Sequence, residues 1–382
     1  MKKLFPLALG AAGLLLAAAL VMALLGRGVQ TDWLVLGGLL LLALGIRTFP
    51  AYASLTFTVL LLVSVALALY HPAALAQWGD FQTKTLITPL MQLIMFGVGA
   101  VMTVEDFQEV FRSPKSVVIG LVAQFTIMPT VGVLLANVFN FPPDVAVGVI
   151  LIGCVPSGLA SNVMCYIARA NVALSVTITS LATLASPFLT PLLMKFLAGQ
   201  LVEINFLTMM LDILKIVIAP IVVGVLLNRF ASQVVDKLKN VLPLLSMGGI
   251  VLIVGIITAN GRDALLNIGL LLLLSTLLHN LAGYTIGYSL ARLTGLDEAS
   301  RRAVAIEVGL QNGGLASALA MNTLKSASAA LAPAIFGPLM NTTGSILANF
   351  WRSRPPKSSE PQTDANSSDF AEKPTAKAKK TV

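Results

Sequence analysis

Apolar runs of about the length that crosses a lipid bilayer recur through most of this chain, and that recurrence constrains its fold more than any single motif. They fall near residues 5–25, 33–46, 53–70, 86–103, 116–138, 144–168, 173–199, 206–228, 241–260, 265–291, 302–323 and 327–350. A helix needs about 20 predominantly apolar residues to span the hydrocarbon core. The composition agrees: 57% of the 382 residues are hydrophobic and 11% are charged, against roughly a quarter charged in soluble domains. A soluble globule, a disordered chain and a disulfide scaffold are excluded. The expected fold is an all-α polytopic membrane protein. Cys154 and Cys165 share one apolar segment and are expected to be packing residues, and His71 and His279 are too scattered for a metal site.

Loop charge sets the expected orientation. With the N-terminus in the cytoplasm, alternate loops and the tail place 19 Lys and Arg inside, and only Arg27, Lys84, Lys195, Arg262 and Lys325 outside. Both termini are thus expected in the cytoplasm, and the net charge of +8 reflects this bias rather than nucleic-acid binding. The first apolar run is long for a signal peptide and no clean small-residue cleavage site follows it, so a retained span is expected. Residues 351–382 form a Ser/Pro/Lys/Glu-rich tail too polar to fold on its own.

Gly158-Leu159-Ala160-Ser161 recurs as Gly314-Leu315-Ala316-Ser317, 156 positions later. Half of the ten-span stretch 53–350 is close to that period. Five spans per half is an odd number, so the halves would insert with opposite orientation, as in inverted-repeat transporters. The sixth run is broken near its middle by Pro156, Ser157 and Gly158, with Ser161 and Asn162 following. The eleventh carries Glu307, Gln311 and Asn312 among Gly309, Gly313 and Gly314. Proline and glycine interrupt a helix, and irregular backbone at membrane depth survives only inside protein or against a watery cavity.

Glu307 is the sharpest of these residues. A carboxylate at the bilayer centre costs about 2.5–3.5 kcal/mol on insertion scales, so it needs a cation, a proton or a basic partner. The plainer alternative places it at the cytoplasmic edge beside Arg301 and Arg302. Oxygen donors suited to a small hard cation cluster nearby in sequence: Ser161, Asn162, Gln124, and Ser175 with Thr179 one helical turn apart. Asp212 and Lys215, at i and i+3, are expected to pair on one helix face. Trp33, Trp78 and Trp351 fit interface anchors.

At these residues the chain resembles the bile acid:sodium symporter family, particularly its bacterial members. The resemblance rests on SPKSVVIGLVAQFTIMP (113–129), GVILIGCVPSGLASNVMCYIARANVALSVTITSLATLASPFLTP (148–191), HNLAGY (279–284) and EVGLQNGGLASALA (307–320). It covers roughly residues 53–352. It implies a ten-span, five-plus-five inverted-repeat core with two crossed discontinuous helices, repeats at about 53–199 and 206–350, and two extra spans within 1–52. It also implies two transported sodium ions. One site would comprise Ser161, Asn162, Ser175, Thr179 and Glu307; the other Gln124, Glu307 and Gln311 with the backbone carbonyls of Val308 and Leu310. Asn162 and Asn312 would face the substrate cavity, flanked by Ser157 and Leu159. Relatives often read PGGTASN where this chain has PSGLASN, so Ser157 stands for a glycine and Leu159 for a threonine.

The expected activity is sodium-coupled symport of a small organic anion, bile-acid-like, keto-acid or pantoate-like, across a bacterial inner membrane. Two sodium ions and one Glu307 carboxylate leave one net positive charge for an anion to neutralise. A proton-coupled carrier and a non-transporting ligand sensor are the competing expectations. No Walker loop, HExxH or nucleophile–base motif points to an enzyme. The expected partners are the lipid bilayer and the organic anion, with no nucleic acid; nothing in the sequence specifies an oligomeric state.

Overall fold

The computed structural model describes residues 4–24, 31–49, 55–102, 109–238 and 241–356. Among the described residues eight helices are long and apolar enough to cross a membrane, one for each apolar run except the third, sixth, eleventh and twelfth. The chain is a helical, multi-pass membrane protein, because in hydrocarbon a helix satisfies its own backbone groups.

An N-terminal pair, α1 (Leu4–Leu24) and α2 (Thr31–Gly45), leads to α3 (Leu55–Tyr70) and the short α4 (Pro72–Ala76). Helix α2 rests on α3. Asp32 Oδ2 lies 3.0 Å from His71 Nε2, and the exposed Trp33 ring stacks on His71 at 4.8 Å. A two-residue hairpin, β1 (Gln77–Trp78) with β2 (Phe81–Gln82), is the departure from an all-helical chain. Gly79 takes a φ of +60° at its turn, as such tight hairpin turns demand.

The chain continues through α5 (Ile87–Val101), α6 (Glu109–Arg112), α7 (Pro114–Val138), α8 (Pro143–Cys154), α9 (Ala160–Ile167) and α10 (Val172–Leu197). Then come α11 (Phe206–Ile213), a π-helical turn at Leu214–Ile218, α12 (Ala219–Phe230), α13 (Ser232–Leu238), α14 (Leu242–Asn260) and α15 (Arg262–Leu293). Last are α16 (Glu298–Gly309), α17 (Gly313–Asn322) and α18 (Ala327–Arg352). The sixth apolar run is therefore two half-helices, α8 and α9, and the eleventh is α16 and α17. The twelfth is a 26-residue helix holding Pro333 and Pro338.

Helix bounds recur at one displacement. Pro143 and Glu298 stand 155 positions apart, as do Cys154 and Gly309, Val172 and Ala327, and Leu197 and Arg352. The starts of α5 and α14, Ile87 and Leu242, and the ends of α7 and α15, Val138 and Leu293, obey the same spacing.

Two packed groups result. Helices α3, α5, α12 and α14 pack with one another, α7–α10 and α15–α18 form a larger group, and one continuous apolar core runs through both. In the first group α5 and α12 touch backbone to backbone. A Cβ on Gly99 would lie 2.1 Å from the Ile221 carbonyl, and one on Gly224 2.4 Å from that of Phe96. Small residues permit such approach in membranes, where apolar burial from water cannot drive helices together.

The expected Asp212–Lys215 pair does not form. Asp212 Oδ2 instead accepts a hydrogen bond from Thr323 Oγ1 at 2.7 Å, because the π turn begins at Leu214 and α-helical spacing no longer aligns the two side chains. Cys154 and Cys165 are buried and unpaired, as expected for packing residues. Lys2, Lys3, Arg27, Lys239 and the tail from Lys357 lie outside the described residues.

Candidate functional site

The two helix breaks cross each other. Backbone pairing joins them as a single antiparallel bridge between Ser157 and Gln311, and the Asn312 N–H donates to the Pro156 carbonyl at 2.8 Å. Proline at 156 has no N–H of its own, and Gly158 lies beside the Gln311–Asn312 backbone, where even a Cβ would meet the Gln311 carbonyl at an ordinary 3.5 Å. The carbonyls and amides that interruption of two helices would leave stranded are thus partly satisfied by each other.

Glu307 stands in the last turn of α16, fully buried. Its Oε1 accepts from Ser175 Oγ at 2.5 Å, and its Oε2 from Thr179 Oγ1 at 2.8 Å and from Ser157 Oγ. No basic side chain among the described residues pairs with it. Arg301 and Arg302 turn to Glu298, Arg302 Nε at 2.8 Å from Oε1, so Glu307 is no interfacial acid. The cluster widens through Asn162 Oδ1, which accepts from Ser175 Oγ at 2.8 Å, and through Ser161 Oγ, 3.3 Å from Thr179 Oγ1. Five residues singled out from the sequence, Ser161, Asn162, Ser175, Thr179 and Glu307, therefore meet at one place. They come from the first break, from α10 and from the end of α16. Ser175 and Thr179 do so because a spacing of four residues stacks them on one helix face.

A second polar group lies beside it. Gln124 Nε2, from α7, donates to Gln311 Oε1 at 2.8 Å and to the Val155 carbonyl at 3.1 Å, and Gln311 Nε2 donates to the Val308 carbonyl at 2.7 Å. Gln124 Oε1 is buried without a partner. Gln124, Val308 and Gln311 are brought together, with Leu310 fully buried among the same residues. The Glu307 carboxylate is not: both its oxygens turn to the hydroxyl cluster. Asn280 Nδ2, on α15, holds the Gly309 carbonyl at 2.8 Å and takes a hydrogen bond from Thr343 Oγ1 at 2.6 Å.

A cavity of about 170 Å³ adjoins the hydroxyl cluster. Asn162, Thr179, Ser180 and Thr183 supply its polar wall; Val98, Met102, Leu159 and Ile221 are among the apolar ones. Of the residues expected to face substrate, Asn162 and Leu159 line it. Asn312 does not: its Oδ1 caps α17 by accepting from the Leu315 N–H at 3.0 Å. Nor does Ser157, 1% exposed, whose hydroxyl points into the carboxylate cluster. Sequence reasoning missed that membership; the serine in place of an expected glycine was its one signal.

Serine and threonine hydroxyls, amide oxygens and a carboxylate are the hard oxygen donors that alkali and alkaline-earth cations take. Among the described residues no three His, Cys, Asp or Glu side chains group as a transition-metal site would require. Interrupted helices crossing at a buried polar cluster, in a bundle of apolar helices, define a class: the membrane transporters whose sites lie where half-helices meet.

Comparison with known proteins gives the family. The model of the Sodium Bile acid symporter family matches residues 88–268. The uncharacterized sodium-dependent transporter YocS of Bacillus subtilis is 40% identical over 306 residues, 80% of this chain and 94% of that protein. The probable chloroplastic sodium/metabolite cotransporter BASS1 of Oryza sativa subsp. japonica is 34% identical, over 79% of this chain and 74% of its own length. Its Arabidopsis thaliana counterpart is 33% identical over 71% and 67%. The chain belongs to the Sodium Bile acid symporter family, a family of sodium-dependent transporters.

Proposed function

We propose that this protein imports a small organic anion together with two sodium ions by alternating access. One observation carries it: a fully buried carboxylate at the crossing of two broken helices, partnered by hydroxyls alone. The first ion is held by Ser161, Asn162, Ser175, Thr179 and Glu307. The second is held by Gln124 and Gln311 with the carbonyls of Val308 and Leu310, joined by Glu307 once one of its carboxylate oxygens turns from the hydroxyl cluster, and the unpartnered Gln124 Oε1 is a ready ligand there. Hydroxyls that now donate to Glu307 can rotate to offer lone pairs instead.

Two sodium ions on one carboxylate leave a net positive charge, and a substrate anion in the adjoining cavity neutralises it. Ion and anion then strengthen each other's binding by the same factor. With a monoanion, one net charge moves inward per cycle, worth about 2.3 kcal/mol per 100 mV.

The displacement of 155 positions shared by those pairs of helix bounds supports two five-span repeats, about 53–199 and 206–350, preceded by two extra spans within 1–52 and followed by a cytoplasmic tail. The packed groups are the mobile core and the panel it moves against. They are parted at one end and joined at the other. The cavity lies by Val98–Met102 at the C-terminal end of α5. At the N-terminal end of α5, Asn322 Nδ2 donates to Thr88 Oγ1 at 2.8 Å, while Thr323 holds Asp212. With the orientation expected from the loop charges the cavity end is cytoplasmic, and we read this conformation as inward-open.

A thermal-shift panel on the purified protein tests the proposal, with keto acids, pantoate-like acids and conjugated bile acids in sodium and in choline. A shift confined to sodium is expected for one class of acid. Equal shifts in both buffers would overturn sodium coupling in favour of a proton-driven carrier or a ligand sensor.

A further inference from the structure

We infer that Ser157 is an additional ligand of the first sodium site, and that its hydroxyl sets how tightly and how selectively that site holds sodium. The inference rests on the sodium-site assignment above. The cluster's other members follow the resemblance residue for residue, whereas position 157 enters it only through the geometry.

Three observations place it there. The Ser157 Oγ donates to Glu307 Oε2 and lies 3.3 Å from Thr179 Oγ1. The side chain is 1% exposed and lines no part of the substrate cavity. Its backbone is paired with Gln311 by the antiparallel bridge, which holds the Cβ at the crossing beside Glu307. A cation seated against Glu307 Oε2 and Thr179 Oγ1 therefore meets Ser157 Oγ as well. The hydroxyl turns its proton away and presents a lone pair.

The cluster then offers four hydroxyls, the Asn162 amide oxygen and the Glu307 carboxylate. Coordination number and ligand field separate cations of one charge. A six-oxygen shell suits sodium, whereas the smaller lithium ion is content with four. Removing Ser157 Oγ thus weakens sodium binding more than lithium binding. Glycine at this position leaves the backbone bridge in place and deletes only the ligand.

The test is a thermal-shift titration of full-length purified protein with sodium chloride and, separately, lithium chloride, with choline chloride holding ionic strength. Ser157→Ala and Ser157→Gly are each expected to raise the sodium midpoint about tenfold, the effect of about 1.4 kcal/mol, and the lithium midpoint about twofold. Ser157→Thr, which keeps the hydroxyl, is expected to restore both. A serine that merely braces the break would alter stability in choline and leave the sodium-to-lithium ratio alone. An unchanged sodium midpoint in the Ala and Gly variants, or parallel weakening of both ions, overturns the inference. Glu307→Gln separates the two levels. Loss of the sodium response in Glu307→Gln with a normal response in Ser157→Ala rejects only the Ser157 ligand. A sodium response that survives Glu307→Gln rejects the site itself.

Discussion

The two breaks share a design in backbone and differ in charge. Helices α8 and α16 have the same length, 12 residues, and each stops at an interruption before a shorter half-helix resumes. Yet the position 155 residues before Glu307 is Ile152, and the one 155 before His279 is Gln124. The first break spends Pro156 and Gly158 on unwinding and adds only neutral oxygens. The second contributes the single carboxylate. Capping differs too: α17 starts behind the Asn312 side chain, whereas α9 starts at Leu159 with no side-chain cap. The two breaks are alike in backbone, while the buried carboxylate between them is supplied by the second. A second buried carboxylate would repel the first and carry its own desolvation cost.

Perturbations that erase or duplicate this asymmetry probe it directly. The largest effect is expected from Glu307→Gln, which removes the charge but keeps the shape. Sodium-driven uptake should fall at least a hundredfold while the protein still purifies folded, and unchanged uptake would remove the proposed ion sites. Ile152→Glu makes the repeats alike. An unpartnered carboxylate at that fully buried position should cost about 3 kcal/mol, read as a lowered Tm in detergent; an unaltered Tm would mean that position 152 accommodates a carboxylate as well as position 307 does, and the asymmetry would fall. Asn312→Ala removes the cap that α9 lacks and should cost about 1 kcal/mol, in choline as much as in sodium. A loss seen only with sodium present would show instead that Asn312 serves ion or substrate. Leu159→Thr is the smallest change: it adds a hydroxyl to the cavity wall and should alter which acid stabilises the protein without moving the Tm of the ligand-free form. If ligand preference stays the same, Leu159 does not set selectivity.

Much of this arrangement was legible in the residues. Recurrent apolar runs give the helices because hydrocarbon tolerates little else, and a lone glutamate in such a run announces itself by its cost. Ser175 and Thr179 were found because helical periodicity fixes their common face. What escaped depends on unwound or irregular backbone, where periodicity says nothing about direction. Ser157 was expected to face substrate and instead points at Glu307. Asn312 was expected in the cavity and caps a helix. The Asp212–Lys215 pair failed at a π turn that no side chain signals. The echo at 158–161 and 314–317 is offset by 156, one more than those helix bounds, so its matched residues do not stand at equivalent places: Gly158 lies in the first break and Gly314 inside α17.

The ring of hydroxyls around Glu307 has a consequence for the half of the cycle in which nothing is carried. A symporter must travel back unloaded, and a bare carboxylate crossing the membrane interior would stall that journey or drag a stray ion along as leak. Here Ser157, Ser175 and Thr179 already close on the carboxylate. On the proposed assignment the same oxygens would both hold the ion and, by donating to the carboxylate once that ion has left, offset part of the cost of burying that charge bare.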